Sequence, residues 1–132
     1  MDQGPLVTEQ IEAGARFLRE FHKSYPVKAA FWLKDSEEGV WWLYVASDQI
    51  TDDNFDVAYG EVGRVSDVLR DPWFDLMQVK VIGEDHPLAK AAAEALLAYP
   101  GRIPLRLRGV SFGGVFADEV YIYPSPIPAP AR

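Results

Sequence analysis

Apolar residues recur at spacings of three and four near the start of the chain. Val7, Ile11, Ala15, Leu18 and Phe21 share one face of a predicted helix running from about Val7 to Phe21 or His22. Thr8 is a candidate cap, and Tyr25-Pro26 closes the segment because the residue before proline avoids helical backbone. In "VKAAFWLKDSEEGVWWLYVAS" two β-rich runs flank the polar turn Asp35-Ser36-Glu37-Glu38-Gly39, which predicts a hairpin. Setting Lys34 against Val40 places Trp32 opposite Trp42 and Phe31 opposite Leu43. One face is then Ala29, Phe31, Leu33, Trp41, Leu43 and Val45, all apolar. The other is Lys28, Ala30, Trp32, Lys34, Trp42 and Tyr44, a mixed set suited to a sheet buried on one side.

The pattern returns to helical spacing from about Asp52 to Leu69, with Phe55, Ala58, Tyr59, Val62, Val65 and Leu69 as the apolar stripe. Asp52, Asp53 and Asp56 in its first turn, with Arg64 and Arg70 toward its end, complement the helix dipole. "MQVKVIG" alternates as a third strand, with Met77, Val79 and Val81 on one side and Gln78 and Lys80 on the other. "DHPLAKAAAEALLAYPG" reads as a third helix, capped by Asp85 or His86 and ended by Pro100-Gly101. "IPLRLR" and "DEVYIYP" form a last strand pair, with Leu105 opposite Ile122, Arg106 opposite Tyr121, Leu107 opposite Val120 and Arg108 opposite Glu119. The order is α-β-β-α-β-α-β-β. It predicts an α+β two-layer sandwich, with an antiparallel or mixed sheet of about five strands and three helices. Residues 1–123 form one domain, and 124–132 form a proline-rich extended or disordered tail.

Composition sharpens this picture. At 132 residues with 48% hydrophobic content, the chain suits one globular domain. Without cysteine there are no disulfides, thiolate metal sites or cysteine nucleophiles. The absence of an apolar membrane-length run or of a signal-like N-terminus points to the cytoplasm and away from membranes. A net charge of −7 disfavours nonspecific contact with nucleic acid.

Four local features raise the question of chemistry. Gly109-Val110-Ser111-Phe112-Gly113 matches the G-x-S-x-G of a nucleophile elbow, but a strand rather than a helix follows, and both histidines, His22 and His86, precede the serine. It reads instead as a nine-residue glycine-containing connection between strands. Asp48, Asp52 and Asp53 could ligate a divalent cation, yet their spacing misses the calcium-loop pattern and suits helix capping. His22 and His86 stand at helix ends without ligand partners at metal spacing, so no metal or other cofactor is expected. Trp73 and Phe74 in "DPWFD" read as cover for the core edge, with projection toward a partner as an aromatic anchor the alternative.

The fifth feature is distributed and carries the functional expectation. Lys28, Lys34, Lys80, Arg106 and Arg108 fall on the polar strand positions together with Trp32, Trp42, Tyr44, Tyr121 and Tyr123. If helices cover only the other face, this one is open, basic and aromatic. It suits a non-catalytic binding or adaptor protein that docks a protein partner or a second copy of itself. Single-stranded nucleic acid or a nucleotide is the alternative ligand on the same face, disfavoured by the net charge. A small metal-dependent hydrolase using Asp48, Asp52 and Asp53 is a further alternative. If the basic and aromatic face binds, Phe112 would tip a mobile glycine loop at its margin that closes over whatever binds.

Overall fold

The computed structural model describes residues 4–99 and 104–124. Its elements are α1 (Thr8–Phe21), β1 (Val27–Asp35), β2 (Trp41–Ser47), α2 (Phe55–Leu69), β3 (Val79–Gly83), α3 (Pro87–Ala98), β4 (Leu105–Phe112) and β5 (Val115–Ile122), with a 3-10 turn at Leu76–Gln78. The sheet is mixed, in the order β3-β2-β1-β5-β4. β2 and β3 pair in parallel through the α2 crossover, and the other neighbours are antiparallel. The helix count, the five strands and their order along the chain are those the hydrophobic pattern predicts. The expected Pro100-Gly101 stop and the proline-rich tail from Ser125 onward lie outside the described residues.

Helices occupy both faces of the sheet. α1 and α2 bury Phe17, Phe21, Val62 and Val65 against Trp32, Trp41, Leu43, Val45, Val79 and Val81. α3 covers the opposite face, packing Leu88, Ala89 and Ala92 with Phe31, Leu33, Val120 and Ile122. The sheet interior therefore reads as near-continuous hydrophobic sequence, because strands buried on both faces need apolar residues at successive positions. β1 shows this directly, with Ala29 through Leu33 all buried.

The β1–β2 register differs by one residue from the expected one. Asp35, not Lys34, stands across from Val40, and its backbone N–H donates to the Val40 carbonyl at 3.3 Å. Asp35 folds its carboxylate over the turn, where Oδ1 accepts from Glu37 N at 2.7 Å and Glu38 N at 3.2 Å, and Gly39 closes the turn at φ 70°. Leu33 then pairs with Trp42, Trp32 with Leu43 and Phe31 with Tyr44. A slip of one exchanges the faces of one strand relative to the other. Trp32 thus lies on the α1/α2 side and Trp42 on the α3 side, so the two tryptophans do not face each other.

The β4–β5 register follows the expected pairs, from Leu105 with Ile122 to Arg108 with Glu119. Both strands run further than expected and meet in a two-residue turn at Gly113-Gly114, with φ +57° and +86°, replacing the nine-residue connection. Gly109, also left-handed at φ +57°, lies where β4 changes phase: Leu105 and Leu107 before it and Val110 and Phe112 after it all pack on the α3 side. Phe112 is no mobile tip. It is 4% exposed and meets Phe31 edge-on at 5.4 Å between ring centroids.

Candidate functional site

The residues expected to share one face divide between two. On the α1/α2 side stand Trp32, Lys34, Arg106, Arg108, Tyr121 and Tyr123; on the α3 side stand Trp42, Tyr44, Lys80 and Phe112. Lys28, near the β1 start, reaches Asp48 at 3.6 Å.

The aromatics of the first group are interior, while Arg106 and Arg108 are exposed. Trp32 is 2% exposed, and Tyr121 and Tyr123 are buried with it. Trp32 Nε1 donates to Tyr123 Oη at 2.9 Å, and that hydroxyl donates to the Ile11 carbonyl of α1 at 2.7 Å. Burial pushes the Tyr123 hydroxyl well above its ordinary pKa, although the Trp32 hydrogen bond pulls the other way. These groups join α1 to the sheet and present no surface to a ligand. Arg106 and Arg108 lie beyond them on β4, both near Glu119 at 3.6 and 3.7 Å, with Arg106 also over the Tyr121 ring at 5.4 Å.

Phe112 apart, which is buried against Phe31, the second group is accessible, and the fold gives it neighbours that the pattern does not place. α3 lies toward the β1, β4 and β5 side of its face and leaves Trp42, Tyr44 and Lys80 half-buried on β2 and β3. Tyr44 stacks on Phe31 at 5.3 Å, and the Lys80 ammonium sits 4.2 Å above the Trp42 ring and 6.0 Å from that of Tyr44. Burial raises the Tyr44 pKa, and the nearby Asp35 charge adds to it. From this cluster a groove of about 520 Å³ wraps the β3 edge, lined by Trp42, Tyr59, Val62, Leu76, Met77, Val79 and Lys80.

Leu76 and Met77 are exposed because Asp75 caps a 3-10 turn, its Oδ1 accepting from Met77 N at 2.9 Å, so β3 starts at Val79 and not at Met77. Met77 is 75% exposed instead of lying on the buried side with Val79 and Val81. Tyr59, placed in the helix stripe by spacing, stands on its flank, and its hydroxyl accepts the Val81 backbone N–H at 3.0 Å. Asp75, whose side chain can accept the backbone N–H two residues on, is the signal in the sequence that marks this turn. Nearby in sequence, Trp73 and Phe74 part company: Phe74 stacks on Phe17 at 4.6 Å, while Trp73 is exposed.

The remaining candidates have structural partners. His22 Nδ1 accepts Val27 N at 2.8 Å, and His86 Nδ1 accepts Leu88 N at 3.1 Å as the α3 cap. Ser111 is an exposed β4 residue paired with Phe116, followed by the hairpin turn and not by a helix. Thr51 Oγ1 accepts Asp53 N at 3.3 Å within the turn before α2. Among the described residues no three Asp, Glu or His side chains gather closely enough to hold a metal ion, so Asp48, Asp52 and Asp53 form no cluster. No helix among the described residues is long and apolar enough to cross a membrane. Comparisons with protein families, curated proteins and solved structures give no match to this chain.

Proposed function

We propose that this chain is a non-catalytic binding or adaptor domain that associates with protein through the groove at the β3 edge. The observation that carries this reading is Met77, 75% exposed and flanked by exposed Leu76 and Tyr59, beside a Trp42 ring with the Lys80 ammonium over it. Apolar side chains gathered at an edge, with one cation at the margin, suit a protein interface, where aromatics and methionine are enriched. Methionine adapts its shape to a partner, and the half-buried Trp42, with the Lys80 ammonium over its ring, supplies an aromatic anchor.

A protein partner suits the geometry better than single-stranded nucleic acid. A nucleic-acid track needs cations in a continuous strip with stacking rings. Here Lys80 and the arginines stand on opposite faces, Lys28 lies beside Asp48, and Arg106 and Arg108 share Glu119.

Sedimentation of the purified chain reads self-association, which Met77→Glu is expected to abolish while leaving the thermal midpoint in place. Photo-crosslinking from position 77 in the native host reads a different protein, to be confirmed by mixing the two purified proteins. A monomer that forms no adduct from position 77 beyond those from the exposed Val57 would overturn the proposal.

A further inference from the structure

The two sheet edges are finished differently. At β3 the Tyr59 hydroxyl takes up the Val81 N–H, and Leu76 and Met77 line the groove beside Val79 and Lys80. At the other edge, β4 has β5 as its only strand neighbour among the described residues, so its outward N–H and C=O groups form an unpaired row. Its two faces differ in chemistry. On one stand Arg106 and Arg108, with side chains 43% and 75% exposed, sharing the single carboxylate of Glu119, across which Lys34 also pairs in the sheet. On the other, Leu107 and Val110 line a groove of about 610 Å³ whose α3 wall is Ala91 and Ala95, with Lys90 and Glu94 also lining it.

We propose that the outer edge of β4 accepts an extended segment of a partner protein as an added strand, in which acidic residues alternate with apolar ones. Side chains of a strand alternate between faces, so the apolar set enters the α3 groove while the acidic set meets the arginines. Side chains of β4 change phase at the left-handed Gly109, and both arginines precede it, which confines the charged part of the contact to Leu105–Arg108. A second copy of this chain is a poor occupant of the Arg106–Arg108 stretch. Antiparallel pairing of β4 with itself about Leu107 sets Arg106 against Arg108 of the other copy, and pairing about either arginine sets it against itself. Like charges directly opposite are destabilising. The same arginines that discourage self-pairing therefore select an acidic strand. This edge is separate from the β3-edge groove, and neither proposal depends on the other.

The test uses the whole chain and a short capped peptide alternating Glu and Val, titrated while backbone amide shifts are followed. Shifts confined to β4 and the facing residues of α3 are expected. Binding should be lost when Lys replaces Glu in the peptide, or when the peptide is N-methylated on its pairing edge. The double variant R106E/R108E should bind about tenfold or more weakly. If that variant does not fold, as circular dichroism would show, R106Q/R108Q serves in its place with weakening in the same direction. Equal binding of acidic and basic peptides, binding that survives N-methylation, or no shift in β4 at millimolar peptide would each overturn the proposal. So would tighter binding of an oligothymidylate at the same residues, which would assign the edge to nucleic acid.

Discussion

Gly14 sets the distance between α1 and the sheet. A Cβ there would lie 2.3 Å from Tyr123 Oη and 3.3 Å from Trp32 Nε1. Helix propensity alone makes Gly→Ala inside a helix favourable by about 0.8–1 kcal/mol. Packing reverses the sign, because the added methyl meets a buried hydroxyl already committed to two hydrogen bonds. Gly14→Ala is expected to destabilise by roughly 1–3 kcal/mol in chemical denaturation. Arg16 and Asp71 give a second test at this scale. Burial would raise the Asp71 pKa, but the Arg16 hydrogen bond at 2.8 Å, the Trp73 N–H and the guanidinium charge outweigh it and hold the carboxyl below its usual value. A depressed folded pKa means that the stabilisation is full above about pH 3.9, the unfolded value, and disappears as pH falls through the folded one. Arg16 is 43% exposed, so the pair should contribute under about 1 kcal/mol. Urea titrations should show Asp71→Asn less stable than the parent at neutral pH, with the difference vanishing in acid.

At the scale of elements, the β4–β5 hairpin depends on its turn. Gly113 has φ +57°, and a Cβ there would come within 2.9 Å of Leu88 backbone atoms at the start of α3. Strain and contact act in the same direction, so Gly113→Ala should cost roughly 2–4 kcal/mol. Gly114→Ala meets nothing within 4 Å and should carry only the smaller conformational cost. Thermal melts of the two variants would separate these effects. This hairpin also shows how much of an element is legible in sequence. Its register could be read from Leu105, Leu107, Val120 and Ile122. Its length could not, because alternation changes phase at Gly109 and a reader following period two stops at Arg108. The β1–β2 hairpin fails in the opposite way. Both strands are evident, but with apolar residues at nearly every position the pattern has no phase to set, and the Asp35 turn decides the register.

At the scale of the molecule, that register separates core from candidate surface. Trp32 and Trp42 read alike in the sequence, yet one is hydrogen-bonded in the interior and the other stands half-buried under Lys80. Trp32→Ala should cost about 3–5 kcal/mol, as for other buried aromatics. Met77→Glu should alter stability by less than about 0.5 kcal/mol, because the side chain is exposed and the Asp75 cap uses the Met77 backbone N–H, which the substitution keeps. Calorimetry on both, beside the association measurement, distinguishes a fold defect from a binding defect. If Met77→Glu melts the domain, the β3-edge groove belongs to the core and the binding proposal fails.

The sequence by itself determined the element list and its order, since helical and strand periodicities are local and proline, glycine and aspartate punctuate them. It also determined the β4–β5 pairing, where alternation of leucine with arginine fixes phase. Only the tertiary structure decided which face each β1 and β2 residue takes, because a strand buried on both sides has no polar phase to read. It alone placed α3 across from α1 and α2, and thereby divided the expected basic and aromatic face between interior and surface. Tyr59, Leu76 and Met77 come together only when a crossover helix lies beside the strand it precedes. Proximity of that kind arises from chain topology and not from local pattern.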